Sequence, residues 1–510
     1  MTARSFFRSR PWRALRWAGL AAAVPALWAC NSRSLEAPIV MPTRTFMNTF
    51  QETLNRKIDI LFMVDNSSSM ENSQANLQAN FPRFMDVLKA LPDGLPHLHI
   101  AVVSSDMGVG NNDIPGCNAN GGDNGIFKSG VGSSPLNTCT ATNLNAGATY
   151  ISTTGGQNPQ NNFTGDITQV FQCIAPIGAT GCGFENQLRS VARALGADGF
   201  QPPAENAGFL RPEAYLGIIF ITNEDDCSAA NVGFYDIVSN TNLASGLGPP
   251  GNFRCSEFGH LCDGMAPARL SPTGAVTDTV TYQNCVSAEE KGQLIRVADF
   301  AQGIKSLKPD PASQILVGSI QGPTTPYVIK WKTPAVSTDG PWPDIAHSCT
   351  LGTGTTGSFA DPGVRMQQFV QQFGGNGLTY SICQDNFGPA LNTIAMKLSQ
   401  LIGPKCIVGT VWDKDPATAG TQADCAVIDH VPNASGSGPT VDTTVQACAD
   451  NGNSPPCWRL RAPAAMEACP ANSQVVEINR GTVTPPDNLR NSVSCSICIQ
   501  GVSDPTHGCP

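Results

Sequence analysis

Lys57-Ile-Asp-Ile-Leu-Phe-Met-Val64 runs directly into Asp65-Asn-Ser67-Ser-Ser69. The first stretch is a nearly continuous apolar run of strand length, the pattern of a central parallel strand covered on both faces. Beyond the polar cluster, Leu77, Phe81, Phe84, Met85 and Leu88 recur at helical spacing, and Pro82 among them predicts a kink or a restart. Strand then helix is the unit, and it repeats. Further strands are predicted at Leu98–Val103, Tyr215–Ile221, Gln314–Ile320 and Leu378–Cys383. Helical patterns run from Glu185 to Leu195, from about Lys291 to Leu307 and from Phe387 to Leu401. This alternation predicts an α/β domain over 56–403, with a doubly wound, mainly parallel sheet.

Three stretches break the alternation and read as insertions at loops: 107–165, 227–285 and 322–375, rich in Gly, Asn, Ser, Thr or Pro. From 404 to 510 the cysteines crowd together and short alternating segments such as Gln474-Val-Val-Glu-Ile478 replace helical periods. That predicts a small disulfide-held β module. A chain of 510 residues is too long for one ordinary core, so one large domain plus a smaller one is expected. Only 14% of residues are charged, while Gly numbers 50 and Pro 39, a loop-rich, low-charge composition. The net charge of −9 repels phosphate backbones and tolerates divalent cations, which disfavours a nucleic-acid partner.

Arg4, Arg8, Arg10, Arg13 and Arg16 precede the apolar run Trp17–Ala29, which predicts an export signal over 1–29. The run ends in Leu27-Trp28-Ala29-Cys30, which resembles a bacterial lipobox and implies lipidation of Cys30, followed by a tether over 30–55. Asn31 next to it resembles lipoproteins sorted to an outer membrane. No second run of eighteen apolar residues follows. With Cys30 set aside, the cysteines are even in number, as an exported protein that pairs them all requires. Spacing favours local pairs such as Cys117 with Cys139, Cys173 with Cys182 and Cys255 with Cys262, although connectivity is not readable from sequence.

Asp65, Ser67 and Ser69 place one carboxylate and two hydroxyls where a strand gives way to a helix, at the sheet edge where open α/β folds bind ligands. Mg²⁺ takes such hard oxygens, keeps waters and leaves a position open. The cluster resembles the metal-ion-dependent adhesion site of the von Willebrand factor type A domain, Asp-x-Ser-x-Ser after the first strand, and the resemblance covers roughly 56–403. It implies a threonine from a later loop, for which Gly178-Ala-Thr180 offers Thr180, and an acidic residue after a later strand. At that second place the chain departs from the family: Asn223 stands where an aspartate is expected, with Asp225 and Asp226 close behind. An amide oxygen brings no charge, so weaker Mg²⁺, Ca²⁺ or Mn²⁺ binding follows unless Asp225 or Asp226 reaches the metal. The other reading of Glu224-Asp225-Asp226 is an acidic turn capping the next helix, and that of Asp65, Ser67 and Ser69 a cap-and-turn cluster without metal.

The resemblance implies a binding module, not an enzyme, that captures a carboxylate of a protein ligand through its cation. Joined to the leader, it predicts a lipid-anchored adhesion or scaffolding protein of the cell envelope; its oligomeric state is not set by the sequence. Two alternatives stand beside it: a secreted hydrolase with its site outside the Asp65 cluster, and a metal-free structural envelope lipoprotein. The sequence holds no G-x-S-x-G, H-E-x-x-H or G-x-x-x-x-G-K-[ST]. Gly352-Thr-Gly354-Thr-Thr-Gly357 reads as a loop, Asn120–Gly125 as ordinary turns and His97 with His99 as a surface pair. Cys495 and Cys498 read as members of two structural disulfides.

Overall fold

The computed structural model describes residues 43–509 except 52–55, 92–93, 111, 113, 115, 118–120, 136, 157, 239–240, 335–338, 353–357, 403–405, 432–439, 464–468, 470–472, 482–488 and 500–501. The predicted leader and Cys30 lie outside the described residues. Among the described residues no helix is long and apolar enough to cross a membrane.

Six strands form the main sheet: β1 (Lys57–Val64), β2 (His97–Ser104), β3 (Ile151–Thr153), β4 (Tyr215–Ile221), β5 (Ile315–Gln321) and β6 (Gly377–Ser381). Their order is β6-β5-β4-β1-β2-β3. All neighbours are parallel except β3, which pairs antiparallel to β2. Helices α1 (Glu71–Lys89), α2 (Ile167–Ile174), α3 (Gln187–Leu195), α4 (Asn252–Gly259), α5 (Val297–Lys305), α6 (Val364–Gln371) and α7 (Gly388–Ile402) follow in chain order. The two-residue period of β1 divides its side chains between two cores. Ile58, Ile60, Phe62 and Val64 pack with α1, α2 and α7. Leu61 and Met63 pack on the other face with α3, α5 and α6. A sheet covered on both faces and parallel at its centre is the doubly wound arrangement the apolar runs predict.

Helix α1 runs through Pro82 without a restart. Proline removes the amide that would have bonded the carbonyl of Gln78, four residues earlier. In this fold Gln172 of α2 donates its Nε2 to that carbonyl at 2.8 Å, while Gln78 returns Nε2 to the Gln172 carbonyl at 2.7 Å. A tertiary contact thus replaces the lost helical bond. Gln172→Ala is expected to cost about 1–2 kcal/mol by leaving that carbonyl unpaired. In a Pro82→Ala background the loss should shrink, because the helix then supplies its own donor. Urea unfolding midpoints of the two single variants and the double variant measure the coupling.

The segments predicted as insertions supply more than loops. The edge strand β3 comes from within 107–165, and α6, whose Met366, Phe369 and Val370 belong to the main core, from within 322–375. Tyr327–Lys332 pairs with both Trp342–Ile345 and Thr279–Tyr282, so the second and third segments share one antiparallel sheet. The expected tether is corrected as well, because Thr43–Gln51 is a strand. It pairs along β12 (Arg490–Cys498) at the edge of a second sheet that includes β7 (Cys406–Val408), β8 (Cys425–Val431), β9 (Val441–Ala447), β10 (Cys457–Arg461) and β11 (Ser473–Asn479). The order there is Thr43–Gln51, β12, β8, β9, β10, β11, β7, around Ile407, Val427, Val445, Trp458, Val493 and Ile497.

Nine disulfides join all the cysteines after Cys30. That usage belongs to an oxidising, extracytoplasmic compartment. The local pairs favoured by spacing are not the ones formed. Cys117 pairs with Cys182, Cys139 with Cys173, Cys227 with Cys255 and Cys262 with Cys285. Cys495 and Cys498 do enter two separate bridges, with Cys425 and Cys509.

Candidate metal centre

In the sheet order, β1 lies between β2, the strand that follows it, and β4, reached by a crossover to the other side. That reversal opens a crevice at the carboxyl ends of the strands, and Asp65 is the first residue past β1. Its amide donates to the Ile221 carbonyl at 3.0 Å, which fixes it at the end of β4. The buried carboxylate accepts from the Ser67 amide at 2.8 Å and the Thr222 hydroxyl at 2.7 Å. Ser67 Oγ lies 3.4 Å from Ser69 Oγ, and Ser69 Oγ lies 2.9 Å from Asn223 Nδ2. Four of the predicted site residues, Asp65, Ser67, Ser69 and Asn223, are therefore one cluster.

The loop that was to supply a threonine is held against this cluster, yet Thr180 is exposed. Gln74 of α1 fastens the loop, donating to the carbonyls of Asp65 and Gly178 at 2.8 and 2.7 Å while its own carbonyl accepts from the Gly178 amide. Gly181 donates to the Asn66 carbonyl at 2.7 Å, and a Cβ there would stand 2.3 Å from the Asn66 side chain, so only glycine permits the approach. The residue this loop delivers is Glu185, two positions before α3. Its side chain is 1% exposed and lies beside the Asp65 carboxylate and the Ser105 hydroxyl, without a hydrogen bond of ordinary geometry to either of its oxygens. Burial pushes Glu185 well above the usual carboxylate range, and the charges of Asp65 and Glu224 push it further. Asp65 is raised too, chiefly by burial, against the lowering effect of its Ser67 and Thr222 donors.

Asp225 and Asp226 were expected near the cation, and the structure gives both other partners. Asp225 accepts from His260 Nε2 at 2.8 Å and from the amides of Arg365 and Met366 at 2.8 and 3.0 Å, at the start of α6. Burial would raise it, but His260 and those amides outweigh burial and hold it below its ordinary value. Asp226 accepts from the Leu188 amide in the first turn of α3 at 2.9 Å and pairs with the buried Arg365 at 2.9 Å. The acidic turn thus caps helices, the second of the two readings open from sequence. Asn223 has a local reason to be an amide. Its Nδ2 donates to the Phe359 carbonyl at 2.9 Å, where an aspartate would set carboxylate against carbonyl. The charge absent at Asn223 is present at Glu185.

Among the described residues no group of three or more His, Cys, Asp or Glu side chains is placed to hold a metal ion. A cation at this centre would depend on mixed oxygens: the carboxylates of Asp65 and Glu185 and the hydroxyls of Ser67 and Ser69. Such a donor set suits Mg²⁺, which retains waters. The buried, unbonded oxygens of Glu185 beside the buried Asp65, with no cationic side chain paired to either among the described residues, fit a divalent ion. Thr222, Glu185 and Ser105, whose hydroxyl lies 3.5 Å from Asp65 Oδ1 and 3.3 Å from Asn66 Oδ1, were not foreseen. The signal for Glu185 was present, an acid directly ahead of the α3 pattern. Two histidines near the crevice are already engaged. His260 uses both ring nitrogens, on Asp225 and on Tyr327 Oη, and His347 binds Asp361 at 2.7 Å. His99, expected at the surface, is buried and donates to the Phe209 carbonyl at 2.8 Å.

No protein-family model matches the chain, and no curated protein does. Among solved structures it is similar to a von Willebrand factor type A protein from Catenulispora acidiphila, at 10% identity over 90% of this chain and 66% of that one, with a TM-score of 0.26. It is also similar to the pilus adhesin RrgA from Streptococcus pneumoniae, at 10% identity over 90% of this chain and 58% of the adhesin, with a TM-score of 0.21. The human COPII-coat protein Sec24c aligns at 8% identity over 92% of this chain and 48% of the coat protein, with a TM-score of 0.26. The chain spans less than two thirds of each of these proteins. Similarities this loose carry no activity from one protein to another.

Proposed function

We propose that this chain is an exported cell-envelope protein that binds a protein ligand through a divalent cation held by Asp65, Ser67, Ser69 and Glu185, with Asn223 bordering the site. The observation that supports this reading is the pair of buried carboxylates, Asp65 and Glu185, at the crevice of the sheet, with no cationic side chain paired to either among the described residues. Mg²⁺ is the proposed ion, with Ca²⁺ or Mn²⁺ as substitutes, and when bound it would supply an open position for a carboxylate of the partner. The residues of this chain orient the site. Ser67 and Thr222 hold Asp65 by its two oxygens, and the disulfides Cys117–Cys182 and Cys227–Cys255 fix the loops that carry Glu185 and Asn223. In this reading the chain acts in adhesion or scaffolding and not in catalysis, and Cys30 would anchor it by lipid.

The test is calorimetric titration of Mg²⁺, Ca²⁺ and Mn²⁺ into the oxidised chain and its Asp65→Asn variant, repeated with a short aspartate-containing peptide. Heat that disappears in the variant, with peptide binding abolished by EDTA, supports the proposal. Cation binding unaffected by Asp65→Asn overturns it.

A further inference from the structure

Past the carboxyl end of β6, on the same edge of the sheet as Asp65, lies a cavity of about 390 Å³ lined in part by Ser73, Asn76, Ser358, Ile382, Gln384 and Asp385. Three elements wall it: the first turns of α1, the hairpin of Cys349–Leu351 with Ser358–Ala360, and the segment that follows β6. The walls are fastened to one another. Asn76 donates Nδ2 to the Gln384 carbonyl at 3.0 Å and accepts from the Phe387 amide at 3.1 Å, and the disulfide Cys349–Cys383 joins the hairpin to the same segment. The hairpin also reaches the cation cluster, because the Phe359 carbonyl, next to Ser358, accepts from Asn223. Preformed cavities of this volume, with a few convergent polar groups, hold ligands. Here the polar groups are available. Among the described residues the side chains of Ser73, Ser358, Gln384 and Asp385 make no hydrogen bond or ion pair, although Ser73 is only 4% exposed. Asp385 is the single ionisable side chain among the described residues of the lining.

We infer that this cavity binds an arginine side chain of the same protein ligand whose carboxylate meets the cation. For its partner the inference rests on the functional reading above. The chemistry of the lining selects the group. Asp385 offers a carboxylate, Gln384 an amide oxygen, and Ser73 and Ser358 hydroxyl oxygens, a spread of acceptors that suits the planar fork of a guanidinium better than the point charge of an ammonium. Leu351 and Ile382 give the aliphatic stem an apolar surface. In the sheet order β6 stands three strands from β1, which places the cavity roughly 14 Å from Asp65. About four residues of extended chain bridge that gap. The ligand segment would therefore carry an acid and a base a few residues apart. Its acid is drawn to the cation, and its base to an unpaired carboxylate on a chain that is acidic as a whole.

The experiment measures, by calorimetry on the full oxidised chain in saturating Mg²⁺, the binding of peptides in which one to four alanines separate an aspartate from an arginine. Each is compared with its citrulline counterpart, which keeps the shape and lacks the charge. The tightest arginine peptide is expected to bind about tenfold better than its counterpart, the contribution of one charge-assisted hydrogen-bonded pair. Asp385→Asn should remove that preference while its Mg²⁺ titration matches the wild type. Ser358→Arg, which brings a guanidinium of its own into the cavity, should remove it likewise. Mg²⁺-dependent binding without a preference for arginine, or a preference that Asp385→Asn retains, overturns the cavity's role and leaves the cation site standing. If no peptide responds to Mg²⁺, the cation reading fails, and saturation-transfer resonance with N-acetyl-arginine methylamide in EDTA decides the cavity alone. A signal that Asp385→Asn abolishes upholds the arginine site, and no signal overturns it.

Discussion

Asp65→Asn is expected to erase the rise in unfolding temperature that saturating Mg²⁺ produces in the wild-type chain. A ligand that binds only the folded state stabilises it by RT ln(1 + [L]/Kd), about 2.7 kcal/mol at a hundredfold excess over Kd. For a domain of this size that corresponds to several degrees. The variant should respond to Mg²⁺ by less than a third of that shift. Without cation the order reverses. Wild-type protein holds Asp65 and Glu185 side by side and buried, with no cationic side chain paired to them among the described residues, so removing one charge at constant shape should leave the metal-free variant as stable as the wild type or more stable. Scanning calorimetry with EDTA and with millimolar Mg²⁺ tests both halves. A variant destabilised equally in the two buffers would make Asp65 a structural residue, held by Ser67 and Thr222 for the sake of the turn.

The framework was legible because burial on both faces writes itself into a strand as an uninterrupted apolar run. Lys57–Val64 and Tyr215–Ile221 have the bounds their residues predict. The Asp65, Ser67 and Ser69 grouping was legible for a related reason, since three oxygens at alternate positions after such a strand must emerge at the sheet edge. What could not be read is whatever depends on the path of the chain through space. Pro82 breaks helices by local rules, and only the position of Gln172 on another helix removes the penalty. Thr180 matched an expected residue type, but the loop is drawn in so tightly by Gln74 and Gly181 that a residue five positions later enters the crevice. Asp225 and Asp226 have the right chemistry for a metal and are committed to helix starts by the positions of α3 and α6. The disulfides that staple the site span 65 and 28 residues, across folds of chain that spacing does not encode.

At the opposite, amino-terminal end of the strands, Asp59→Ala is expected to cost about 3–5 kcal/mol at neutral pH, the usual loss when one partner leaves a buried ion cluster. Asp59 is fully buried in β1 and accepts from the Arg211 amide and Nε, both at 2.8 Å, with Lys308 Nζ at 3.9 Å and His99 Nδ1 at 3.5 Å. Without it, Arg211 and Lys308 would face each other with no carboxylate between them. Burial lifts Asp59 from 3.8 to about 6, although Arg211 and Lys308 oppose the rise. Burial likewise lowers Lys308 to about 8 and His99 to about 4, so all three groups are held against their charged forms. The sign for Asp59 follows. Its folded-state value exceeds its unfolded one, so the part of its stability that comes from holding a proton is complete below about pH 4 and is lost as pH rises through 6, while its contacts with Arg211 and Lys308 persist above that. Asp59→Asn, which keeps the shape and an acceptor for Arg211, should remove that slope from the stability profile between pH 4 and 6. Urea midpoints across this range, for wild type and the two variants, provide the measurement. Mn²⁺ stoichiometry in Asp59→Asn should match the wild type, because the cluster lies at the end of the sheet away from Asp65; a lost equivalent would mean the two ends of β1 are energetically coupled.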